Sequence, residues 1–123
     1  MRLFPWFGAL ALAAFLAPQD ASAQSTKFDG TWSVLVVTER GGCDQAYRYP
    51  VVIQRGDLRY GGPEAFDVTG KVAASGAINA RIARGSAGAN VSGRLVGNLG
   101  SGTWVASSSS GACSGRWEAE KRS

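Results

Sequence analysis

At 123 residues, with 17 glycines, two cysteines and no histidine, the chain is sized for one domain and lacks the imidazole that Ser-His-Asp triads, Cys-His pairs and His-based zinc or haem centres require. Its net charge of +4 comes from 13 Lys plus Arg against 9 Asp plus Glu. The basic residues form no dense cluster interleaved with aromatics, which argues against a nucleic-acid reader.

Met1-Arg2 supplies a positive start, residues 3–17 are almost wholly apolar, and Ala21-Ser22-Ala23 places small residues at cleavage spacing. That is the layout of a secretory signal peptide. A membrane-crossing helix needs roughly 20 apolar residues, and Pro5 and Pro18-Gln19-Asp20 interrupt a shorter run, so no membrane span is expected. Residues 1–23 are read as the signal peptide and residues 24–123 as a single domain, periplasmic or secreted.

Beyond residue 24 no stretch repeats apolar residues at helical spacing, and glycine interrupts every candidate. Alternation with period two, the mark of a sheet with one buried and one wetted face, recurs instead. In the first segment Phe28, Gly30, Trp32, Val34 and Val36 share a side. The second sets Tyr47, Tyr49, Val51 and Ile53 opposite Arg48, Pro50, Val52 and Gln54, and Arg55-Gly56-Asp57 then reads as a tight hairpin turn. A short return, Leu58 to Tyr60, is broken by Gly61-Gly62-Pro63. Phe66, Val68 and Val72 alternate with Asp67, Thr69 and Lys71, and a turn follows near Ala74-Ser75.

Ile78, Ala80 and Ile82 oppose Asn79 and Arg81. Past Arg84-Gly85-Ser86, Ala89, Val91, Gly93 and Leu95 oppose Asn90, Ser92 and Arg94. Asn98 to Gly100 is read as a turn into Gly102, Trp104 and Ala106, and Ser107 to Ser110 as a polar loop. The final strand carries Cys113, Gly115, Trp117 and Ala119 inward, with Ser114, Arg116, Glu118 and Glu120 outward.

The pattern predicts an all-β fold of eight short antiparallel strands. The even number lets the first and last strands pair, closing a small up-and-down barrel. A two-sheet sandwich is the alternative. Cys43 falls just beyond the first strand and Cys113 at the start of the last, ends that coincide in antiparallel neighbours, so a disulfide between them would clamp the seam. On the chain-entropy account, closing a loop of about 70 residues stabilises by roughly 4 kcal/mol.

The inward positions mix bulk, at Trp32, Phe66, Ile78, Trp104 and Trp117, with many glycines and alanines. These residues line either a packed core or a cavity for one apolar or aromatic ligand, and strands this short favour the packed core. No catalytic residue is indicated. The carboxylates, Asp57 and Asp67 among them, are scattered on turns and outward positions without an acid–base pair. No helix follows the glycine-rich stretches to form a phosphate cradle. No metal and no cofactor are expected. Arg48, Arg55, Arg59, Lys71, Arg81, Arg84, Arg94 and Arg116 are assigned to outward faces, a surface that attracts polyanions or anionic headgroups only weakly.

The segments Phe28-Asp29-Gly30-Thr31-Trp32-Ser33, Thr38-Glu39-Arg40-Gly41-Gly42-Cys43, Tyr47-Arg48-Tyr49-Pro50 and Cys113-Ser114-Gly115-Arg116-Trp117-Glu118 give a chain that resembles short exported proteins of soil α-proteobacteria. These are mostly uncharacterised, and some are labelled haem-utilisation or adhesion exoproteins. Without histidine, iron ligation would fall to Tyr47, Tyr49 or Tyr60. Gly30-Thr31-Trp32 also looks like the first strand of lipocalins, avidins and the periplasmic metalloprotease inhibitors built on similar barrels. That likeness implies a barrel floor plugged by tryptophan and, for the inhibitors, an N-terminal segment such as Gln24 to Lys27 that enters a protease cleft. The expected role is non-catalytic binding of an apolar small molecule, an envelope component or another protein, with protease inhibition as the alternative.

Overall fold

A computed structural model describes residues 26–123; the expected signal peptide, and Gln24 and Ser25 after it, lie outside the described residues. Eight strands follow one another: β1 (Gly30–Arg40), β2 (Ala46–Gln54), β3 (Asp57–Tyr60), β4 (Asp67–Val72), β5 (Ala77–Arg84), β6 (Ala87–Val96), β7 (Leu99–Ser108) and β8 (Gly111–Lys121). Each pairs antiparallel with the next, and β1 pairs with β8, so the sheet closes into a barrel in sequence order. The sandwich alternative is thereby excluded, and the barrel leaves no free first or last edge.

Turn chemistry sets several of the hairpins. Between β2 and β3 the two-residue turn Arg55-Gly56 has φ of 52° and 80°, the two positive values that match the right-handed twist of the flanking strands. Arg55 is the only non-glycine with positive φ among the described residues. Its backbone N–H and that of Gly56 donate to the Asp29 carboxylate at 2.7 and 3.1 Å, which ties this turn to the entrance of β1.

Several strands run further than the sequence pattern predicts. Val96 pairs with Leu99 and Ser108 with Gly111, so the turns are Gly97-Asn98 and Ser109-Ser110 rather than Asn98 to Gly100 and the whole of Ser107 to Ser110. Gly97, with φ of 61°, takes the first turn position that L residues resist. In the opposite sense, Phe28 and Phe66 lie outside the strands to which alternation assigns them, each just before one.

One end of the barrel is packed shut. Phe28, Trp32, Ile53, Leu58, Val72, Ile78 and Leu95 are buried there together. Trp32 is 1% exposed, and its indole Nε1 donates to the Phe28 carbonyl at 2.9 Å, holding the segment that leads into β1 across the floor. The C-terminus completes the closure: the Thr31 N–H donates to the Ser123 carbonyl and the Arg122 N–H to the Thr31 carbonyl. At the other end Cys43, in the β1–β2 loop, is disulfide-bonded to Cys113 of β8 with a Cα–Cα distance of 6.2 Å. The bond spans the seam where the first and last strands meet.

Candidate binding cavity

Above this floor the interior is hollow. A cavity of about 330 Å³ opens toward the disulfide end. The longest strands reach 11 residues, so the walls rise well above the floor plug; the fully packed core favoured by sequence reasoning fills only the lower part. The middle of the wall consists of small and β-branched side chains, among them Val34, Val36, Val51, Val68, Ala80 and Val91, which are half-buried and face the cavity. Among the described residues no polar or charged side chain is buried.

The five residues assigned to the interior, Trp32, Phe66, Ile78, Trp104 and Trp117, all line this cavity. Trp104 and Trp117 lean along the wall in opposite directions. Trp117 Nε1 reaches the Ser92 carbonyl of β6 at 3.1 Å. Trp104 Nε1 lies 3.2 Å from both the Val37 and the Arg116 carbonyls, at the β1–β8 seam. There Thr38 faces Gly115 and Arg40 faces Ser114, leaving Glu39 as an extra residue in β1; such a bulge locally interrupts the ladder. Every indole N–H of the lower cavity is therefore already donated to the backbone, and the deep wall offers an occupant only apolar surface.

The mouth has a different character. Tyr47 and Tyr49, on the inward phase of β2, stack at 5.0 Å between ring centroids. Tyr49, Tyr60 and Phe66 pack edge to face at 5.0–6.3 Å. Arg84 lies over the Phe66 ring with its guanidinium carbon 4.9 Å from the centroid. Asp44 and Cys43 of the disulfide also line this end of the cavity. The Tyr60 hydroxyl donates to the Glu64 carboxylate. That bond pushes the Tyr60 phenol up to about 12 and holds the Glu64 carboxyl below its ordinary value. Burial raises the Tyr49 phenol, with Tyr47 adding to the effect. Both shifts favour the neutral phenol.

Arg84 corrects the outward assignment made from sequence. It continues the inward parity of Ile78, Ala80 and Ile82 along β5 and lines the cavity mouth. Parity alone would have placed it there; its charge and the adjacent turn obscured the signal. The tyrosines Tyr47 and Tyr49 were in phase with Val51 and Ile53, but their meeting with Tyr60 and Phe66 depends on strand pairing that alternation does not encode. The tail proposed for protease inhibition, Gln24 to Lys27, is described only at Thr26 and Lys27, beside the closed floor. No family model matches the chain, and no curated protein matches it.

Proposed function

We propose that the protein is an exported, non-catalytic binding protein whose barrel holds one small apolar molecule. The observation that carries this reading is the cavity of about 330 Å³ with an apolar wall and a single aromatic mouth, a volume and chemistry in the range of small-molecule sites. A preformed pocket of this kind gains affinity by removing apolar ligand surface from water, at about 25 cal/mol per Å², without first paying to reorganise the barrel. The non-catalytic part rests on the absence of histidine from the sequence, on both cysteines being joined, and on the two mouth carboxylates, Asp44 and Glu64, of which Glu64 already accepts the Tyr60 hydroxyl. Export is supported by the disulfide and by the signal-peptide pattern at the N-terminus.

The test is titration of the protein with N-phenyl-1-naphthylamine, an uncharged apolar fluorophore, monitoring both probe emission and tryptophan quenching. One-to-one binding is expected, with tryptophan emission falling in step. Ala106→Phe, which adds a ring to the cavity wall opposite Cys113, should weaken binding at least about tenfold while the far-ultraviolet spectrum is preserved. Binding that ignores Ala106→Phe would place the probe outside the barrel and remove the basis of this reading.

A further inference from the structure

The cavity has a polarity gradient along its axis, and that gradient specifies an orientation and a ligand class. Resting on the binding role proposed above, we infer that the occupant is a single-tailed amphiphile held tail-down, with an anionic head at Arg84.

The deep end can accept only a hydrocarbon. No polar or charged side chain is buried among the described residues, and the indole N–H groups of Trp32, Trp104 and Trp117 are spent on backbone carbonyls. A ligand hydroxyl, amide or carboxylate pushed to the floor would lose its water without gaining a partner, at a cost of about 2–7 kcal/mol for a neutral group and more for a charge. The volume sets the size of the tail. At about 330 Å³ the chamber lies at the small end of ligand-site volumes, so it takes one tail of medium length, which fills the chamber and brings its other end to the mouth.

At the mouth Arg84 is the one cationic side chain among the described residues that lines the cavity. Its guanidinium lies over the Phe66 ring, and no carboxylate lies within ion-pairing distance of it among the described residues. The contact with the ring holds the guanidinium at the mouth, where its planar fork of N–H groups suits a planar anion, which arginine binds with two parallel hydrogen bonds. Tyr49, kept neutral, remains a hydroxyl donor beside it. Of the two acids nearby, Glu64 is engaged with Tyr60, while Asp44 stands in an exposed loop and stays hydrated. Arg84, whose charge also helps to lower the Glu64 carboxyl, puts positive charge at the mouth and disfavours a cationic head. The chemistry therefore favours a medium-chain carboxylate over the matching alcohol or ammonium.

Calorimetric titrations with decanoate, decanol and decyltrimethylammonium, each below its micellar concentration, separate the possibilities. Decanoate is expected to bind about tenfold or more tightly than decanol, a difference of roughly 1.4 kcal/mol, and to quench tryptophan emission. Arg84→Gln should cost decanoate about tenfold or more beyond whatever it costs decanol, so that the two affinities converge, and Arg84→Lys, which keeps the charge but not the planar fork, should fall between. Equal affinity for decanoate and decanol, or preference for the ammonium, would overturn the anionic head and leave the cavity reading in place. Failure of all three to bind, together with failure of the neutral fluorophore, would overturn the cavity reading itself.

Discussion

Trp117 occupies β8 opposite Gly102 of β7, and Gly102 in turn faces Gly93 of β6. A Cβ placed on Gly102 would fall 2.0 Å from the Ser92 carbonyl oxygen and 2.6 Å from Trp117 Nε1. The first contact is backbone and cannot swing away. Glycine here is thus a requirement of close approach: the absent side chain is the space in which the indole lies flat and reaches Ser92. Gly102→Ala should therefore destabilise the protein by about 1–3 kcal/mol, the usual cost of overpacking, although alanine is ordinarily tolerated in a strand. Denaturant titration of the variant checks the magnitude, and a change in the near-ultraviolet tryptophan signal would locate the strain at Trp117. An unchanged midpoint would mean that the indole does not depend on this gap.

Among the strands, β3 is the weak member. It has four residues, and although it pairs with β2 at four positions, its ladder with β4 has a single pair, Asp57 with Lys71. That pair is reinforced by an exposed ion pair at 3.2 Å, a contact worth little in water. Toward the mouth, the edge-to-face cluster of Tyr49, Tyr60 and Phe66 covers the place where the ladder stops. Backbone amides of β3 should accordingly exchange with solvent faster than those of β6, β7 and β8, whose ladders run unbroken over nine and ten residue pairs, because local opening there breaks fewer bonds. Hydrogen exchange followed by mass spectrometry measures this directly, and uniform protection around the barrel would contradict it. The same comparison explains how far the sequence could be read. Period-two alternation located each strand and the inward phase, including Trp32, Ile78, Trp104 and Trp117, because one face of every strand is apolar. It did not reveal that the walls outrun the floor plug, since Ser107 and Ser108 look like loop residues until Ala112 and Gly111 are paired with them. Nor did it bring Tyr60 and Phe66 against Tyr49, a meeting created by the gap between β3 and β4.

At the level of the whole molecule, seven of the eight strand pairings join neighbours in sequence, and one, β1 with β8, joins the two ends of the domain. Closing the barrel therefore pays the entropy of its longest loop in that one step, and folding dominated by such a distant pairing is slow. The disulfide between Cys43 and Cys113, with 70 residues of separation, lies on this seam. Left intact in the unfolded chain, it prepays most of the closure: on the chain-entropy account, about 4 kcal/mol. If the seam is about half formed in the folding transition state, roughly 2 kcal/mol of that appears in the folding rate, an acceleration of about thirtyfold, with the rest slowing unfolding. Stopped-flow refolding monitored by tryptophan emission should thus find the oxidised protein about tenfold to a hundredfold faster than a Cys43→Ser, Cys113→Ser variant, while the two share the same strand content once folded. A variant that refolds as fast as the oxidised protein but unfolds much faster would instead place the formation of the β1–β8 seam after the rate-limiting step, with the other seven pairings assembling first as an open sheet.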